Sequence, residues 1–120
     1  MTKIDLSPKV LDLVLYAGDG VNFRLSITDK DDEIVPLTGE MEAQIRIKRL
    51  DADPPLGEFT IDLSDFEDGV ALLSLTGAET QALAPLKKFV GVWDLQWTPE
   101  GQEPRTLCQG KVECFNDVSR

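Results

Sequence analysis

Histidine is absent from these 120 residues. That removes the commonest general base, the side chain that titrates near neutral pH and the commonest metal ligand together. Triad hydrolases and zinc enzymes are therefore poor first readings. Basic residues are also scarce, with 12 Lys and Arg against 22 Asp and Glu for a formal net charge of −10. Such a balance opposes a phosphate backbone and anionic lipid heads, so neither nucleic acid nor membrane is an expected partner, whereas a protein with a basic surface would be drawn in. No apolar run approaches the length of about 18 residues that a membrane-spanning helix needs. The opening Met1-Thr2-Lys3-Ile4-Asp5 lacks the charged-then-apolar pattern of a signal peptide, and synthesis in the cytoplasm is expected. Only Cys108 and Cys114 carry thiols. They fall in one predicted strand, roughly 20 Å apart at about 3.3 Å per residue, and read as two small buried residues rather than a disulfide or redox pair.

What is present is alternation. Leu11, Leu13 and Leu15 recur at every second position, and after Gly18-Asp19-Gly20 the pattern resumes with Val21, Phe23, Leu25 and Ile27 between Asn22, Arg24, Ser26 and Thr28. Each segment reads as a strand with one dry face and one wet face. Asp29 to Asp32 forms a polar turn, and Glu33-Ile34-Val35 returns before Pro36 in a short hairpin. Met41, Ala43, Ile45 and Ile47 alternate with Glu42, Gln44, Arg46 and Lys48, a strand over 41–48. Phe59, Ile61 and Leu63 restart the pattern, and Val70 to Leu75 makes a strand in which either Val70 with Leu72, or Ala71 with Leu73 and Leu75, points inward. Thr76-Gly77-Ala78-Glu79 has the form of a capping box, placing a short helix over 77–83 that Pro85 ends. Phe89, Gly91, Trp93, Leu95 and Trp97 line one side of an aromatic-rich strand. The last strand, 105–115, offers Thr106, Cys108, Gly110, Val112 and Cys114 on one face.

Seven or eight short strands with turn signals between them and one helical turn predict an all-β fold: an antiparallel, immunoglobulin-like β-sandwich, with a small barrel as the alternative. A chain of this length holds one domain over 1–120, burying about two thirds of its unfolded surface without disulfides or metals. No cofactor is expected.

Three groups of residues invite chemical readings. Asp29, Asp31 and Glu33, and Asp65, Glu67 and Asp68, place carboxylates at close spacing, as an acid pair or a calcium loop would. Neither run matches the EF-hand pattern, and both lie in predicted turns, where Asp serves the backbone. Trp93 and Trp97 share a strand face, as in a platform for sugar rings, although a core pair is the simpler reading. The third signal is charge: eight acidic residues from Asp51 to Glu79 meet no Lys or Arg between Leu50 and Leu86, while Arg46, Lys48, Arg49, Lys87 and Lys88 form a small basic zone. Opposite patches suit head-to-tail packing of copies.

Several segments resemble a family of small all-β bacteriophage virion proteins of long-tailed phages, similar in style to the N-terminal domain of a lactococcal phage baseplate protein. They are Gly20-Val21-Asn22-Phe23-Arg24-Leu25, Pro36-Leu37-Thr38-Gly39, Ala43-Gln44-Ile45-Arg46, Gly69 to Thr76, Val92-Trp93-Asp94-Leu95, Gly110-Lys111-Val112 and Asp117 to Arg120. The resemblance implies a non-enzymatic structural protein of the virion, present in multiple copies at the head, the head-to-tail connector or the tail. Its partners would be capsid, portal or connector, or tail proteins and further copies of itself. It carries no catalytic residue across. The terminal arms, with Thr2, Lys3 and Ile4 at one end and Asn116, Asp117, Val118 and Arg120 at the other, are candidate contacts because an arm can add a strand to a neighbour's sheet. The stiff loop at Asp53, Pro54 and Pro55 is another. The alternative is a carbohydrate-binding module for host recognition built on Trp93 and Trp97, which requires both indoles exposed. A small hydrolase using two of the clustered acids is a third, and it requires them to converge in a concave pocket.

Overall fold

A computed structural model describes residues 9–29, 31–47, 55–85 and 88–116. Nine strands and one helix follow in order: β1 (Lys9–Val10), β2 (Leu13–Tyr16), β3 (Val21–Ser26), β4 (Glu40–Arg46), β5 (Gly57–Glu58), β6 (Thr60–Asp62), β7 (Val70–Leu75), α1 (Gly77–Leu83), β8 (Phe89–Thr98) and β9 (Arg105–Phe115). They form two sheets. The larger runs β1-β9-β8-β4-β5, with β2 continuing β1 along β9, and the smaller runs β3-β7-β6. The central strands β4, β8 and β9 facing β3, β7 and β6 give the Greek-key arrangement of an immunoglobulin-like sandwich.

All pairings are antiparallel except those of β1 and β2, which run parallel to β9, Lys9 opposite Cys108 and Tyr16 opposite Phe115. Local alternation is the same for either direction, so the sequence pattern carried no trace of this exception. The break between β1 and β2 is stitched by side chains. Leu11 N–H donates to Gln109 O at 2.9 Å, and the Asp12 carboxylate accepts from Lys111 N–H at 2.9 Å, standing in for a ladder carbonyl.

The core lies between the sheets, with Ala43, Ile45, Trp93, Leu95, Val112 and Cys114 from the larger and Ala71, Leu73 and Leu75 from the smaller. This settles the parity of β7 in favour of Ala71, Leu73 and Leu75, and Leu72 faces out. Thr76 caps α1 as its sequence predicts. Its hydroxyl accepts from Glu79 N–H at 3.1 Å while the Glu79 carboxylate accepts from Thr76 N–H at 2.8 Å.

Three expectations need correction. The strand from Met41 stops at Arg46 rather than Lys48, because its pairing with β8 ends at Val92, and Ile47 lies exposed. The strand read from Phe59, Ile61 and Leu63 is shorter than its alternation, with only Thr60–Asp62 paired as β6 of the smaller sheet; Phe59, which links it to β5 of the larger sheet, donates its N–H to Ala43 O at 2.9 Å. In β9 the ladder slips between Leu95, opposite Cys108, and Gln96, opposite Thr106, leaving Leu107 as the extra residue of a bulge. A bulge inverts the side-chain parity of its strand. The consecutive residues Leu107, in the bulge, and Cys108, after it, are therefore both buried, while Thr106 pairs with exposed Gln96 instead of joining the inward row.

Candidate functional site

The two tryptophans are core residues. Trp93 is 2% and Trp97 5% exposed, and each indole N–H is spent on a backbone carbonyl: Trp93 on Leu11 O and Trp97 on Thr38 O, both at 2.7 Å. Trp93 stands opposite Gly110 on β9, where a side chain would run into the Leu11 carbonyl. Its ring packs against Phe59 and Phe23, centroids 5.7 and 6.1 Å away. Trp97 anchors the step at Gly39, whose φ of +90° and contact with the Thr98 carbonyl exclude any Cβ. The exposed stacking platform that a sugar-binding reading needs is thus overturned by burial of both rings.

Among the clustered carboxylates, Asp29 serves the backbone. Asp29 is buried, and its Oδ1 accepts from Asp31 N–H at 2.8 Å and Glu33 N–H at 3.0 Å, closing the hairpin tip that the sequence places there. Asp31 and Glu33 point to solvent. Asp65, Glu67 and Asp68 surround a 3-10 turn over Phe66–Asp68 and are likewise exposed. Beside them Asp62 accepts from the hydroxyl and the N–H of Ser64, which together hold its carboxyl below the ordinary 3.8. Among the described residues no three Cys, Asp or Glu side chains converge as a metal site would require. A cleft of about 270 Å³ is lined by Leu37, Thr38, Gly39, Leu63, Phe66 and Glu100, and so holds one carboxylate rather than a pair.

The thiols are structural. Cys108 and Cys114 are both buried and unpaired, and burial pushes each above the ordinary 9.0, with Lys9 opposing the shift at Cys108. A thiol held protonated is a weak nucleophile. Cys114 Sγ rests against Thr80 O at 3.6 Å, tying β9 to α1.

Of the candidate contacts, Pro55 is half-buried, and Asn116 is held in place, its Nδ2 donating to Ala84 O at 2.6 Å. Thr2, Lys3, Ile4, Asp53, Pro54, Asp117, Val118 and Arg120 lie outside the described residues, as do Lys48, Arg49 and Lys87 of the basic zone. Lys88 is engaged: it pairs with Glu113 at 2.8 Å and sits 4.8 Å above the Phe115 ring. Arg46 donates to Gln44 Oε1 at 2.6 Å.

Sequence reasoning missed the outer face of the larger sheet. Val14, Glu113 and Val90 lie in register across β2, β9 and β8, and in the next row Tyr16 stacks on Phe115 at 5.9 Å. Val14 is 56%, Tyr16 47% and Val90 57% exposed. The signal was available, since Val14, Tyr16 and Val90 are apolar residues in the outward parity of their strands.

The fold class is thereby defined: an all-β sandwich with one short helix and one 3-10 turn. No protein-family model matches the chain, and no curated protein matches it. Among solved structures it is similar to domains 4 and 5 of the S-layer protein SbsC, at 10% identity and a TM-score of 0.47 over 95% of this chain. It is also similar to a family 123 glycoside hydrolase from Clostridium perfringens, at 11% identity and a TM-score of 0.41 over 93% of this chain. This chain spans 45% and 24% of the length of those two proteins. Neither likeness bears on what this chain does.

Proposed function

We propose that this protein is a non-enzymatic structural component of a tailed bacteriophage virion, made in the host cytoplasm and present in multiple copies at the head or head-to-tail connector. It acts through protein–protein contacts with capsid, portal, connector or tail proteins and with its own copies. The observation that carries a contact role is the outer face of the larger sheet, where Val14 and Val90 stand exposed on either side of Glu113 and exposed Tyr16 stacks on Phe115. Grouped exposed apolar side chains on a soluble surface mark an interaction site. The segments named above that resemble the phage family supply the setting. Asp29 and the tryptophans, which carried part of the rival readings, are occupied in holding a turn and the core together.

The test is quantitative mass spectrometry of purified virions followed by reconstruction of the particle. A fixed multiple is expected, a six- or twelve-fold set indicating the connector and hundreds indicating decoration of the shell. Absence of the polypeptide from the particle would overturn the reading.

A further inference from the structure

One end of the sandwich carries the cleft of about 270 Å³. There β4 begins, with Glu40 opposite Thr98, and β6 ends, with Asp62 opposite Leu72. Leu37 and Phe66 line the cleft together with Leu63, and Leu37 N–H donates to Phe66 O at 2.9 Å. Thr38, Gly39 and Glu100 are the exposed part of the lining. This frame is fixed in advance of any guest. The Trp97 indole holds Thr38 O at 2.7 Å, and Gly39 sits at a positive φ where no side chain fits. The space falls short of the roughly 300–1,000 Å³ of small-molecule sites and suits a single apolar side chain.

The surroundings of the cleft are of one sign. Every charged residue in its lining, or next to the lining in sequence, is acidic: Glu40, Asp62, Asp65, Glu67 and Glu100. All five are exposed, and among the described residues none of them is ion-paired. Like charges gathered at one mouth raise the local negative potential, so an arriving cation is drawn in and relieves their mutual repulsion. Apolar surface within and negative charge around it select one kind of guest. An acidic apolar segment gains burial and meets repulsion, and a polyamine gains attraction without filling the cleft. A segment with an apolar side chain between Lys or Arg residues gains both terms.

We propose that the cleft seats one apolar side chain from a basic segment of a partner protein, with the Lys or Arg residues flanking that side chain facing the carboxylates of Glu40, Asp65, Glu67 and Glu100. This gives the chemistry of one contact in the assembly reading above and rests on that reading only for the partner being a virion protein.

The full chain, isotope-labelled, is titrated with the peptide Lys-Lys-Leu-Lys-Lys and with versions carrying Met or Phe at the centre. Amide shifts are expected at Thr38, Gly39, Phe66 and Glu100. Gly at the centre of the peptide weakens binding about tenfold, and Glu-Glu-Leu-Glu-Glu leaves the spectrum unchanged. Glu100→Lys and Glu67→Lys each weaken binding about three- to tenfold. Glu58→Lys, the same change of net charge at an exposed position opposite Gln44, leaves it as it was. All three substitutions are at exposed residues, and unchanged amides elsewhere show that the fold is kept. No binding by any of the three apolar-centred peptides, equal binding of the Gly-centred peptide or of spermine, or an equal loss in all three variants overturns the proposal. Self-association that Glu100→Lys abolishes in sedimentation velocity assigns the cleft to a second copy and overturns it as well. Peptide binding by a chain absent from virions removes the virion setting and leaves the cleft standing, whereas presence in virions without peptide binding removes the cleft alone.

Discussion

The strands β8 and β3 present the same kind of inward row and finish it differently. In β8 every inward residue from Gly91 to Trp97 is buried, because β4 and β9 flank the strand on both sides. In β3 the inward Val21, Phe23 and Leu25 are no less apolar, yet each keeps part of its surface in water. The difference teaches that burial in a sandwich is conferred by lateral neighbours as much as by the opposing sheet. Apolar side chains on β3, which among the described residues is flanked by β7 alone, remain only partly withdrawn from water, and their contribution to stability shrinks accordingly.

That contrast can be broken most severely at its well-flanked side. Trp93→Ala removes the ring that meets Phe23 and Phe59 and the donor to Leu11 O. It is expected to cost about 3–5 kcal/mol, read as a fall in the urea midpoint. The comparison is sharpened by a matched pair: Leu95→Ala, fully buried in β8, is expected to cost about 2–5 kcal/mol, and Leu25→Ala, half-buried in β3, about 1–2 kcal/mol in the same titration. Equal losses would show that the opposing sheet alone sets the packing. Thr76→Ala removes one arm of the capping box of α1 and should cost about 1 kcal/mol by the same measurement. The smallest effect belongs to exposed Asp62. Its carboxyl is held below 3.8 in the folded state, so its contribution is complete above its ordinary value and is lost as pH falls through the lower folded one. Asp62→Asn should therefore flatten slightly the acid limb of melting temperature against pH, scanned from about pH 5 to about pH 2.

Much of the architecture was legible because it is local. The capping box of Thr76 and Glu79, the inward row of β8 and the turn at Asp29 each follow from residues a few positions apart. What escaped was relational. The bulge at Leu107 depends on how β9 registers against β8, the change of sheet at Phe59 on the different partners that β5 and β6 meet, and the parallel direction of β1 and β2 on a strand far along the chain. For the candidate contacts, Pro55 and Asn116 are the two that the described residues include, and Asn116 is tied to Ala84. The exposed row of Val14 and Val90 went unread because its members come from strands far apart in sequence and acquire their common neighbour, Glu113, only in the sheet.

The parallel docking of β1 and β2 on β9 also governs when the protein can exist. Asp12 and Lys111, joined by a hydrogen bond, are 99 positions apart. Their loop is nearly the whole polypeptide, and its closure must be met before that contact returns anything. On a ribosome adding about 5–20 residues per second, β1 and β2 are made well before β9 and wait for it. Their pairing with β9 therefore waits until β9 itself has been made. A nascent chain stalled short of β9 would expose the seat of Leu13 and Leu15 without its lid, and chaperones would meet the protein in that interval.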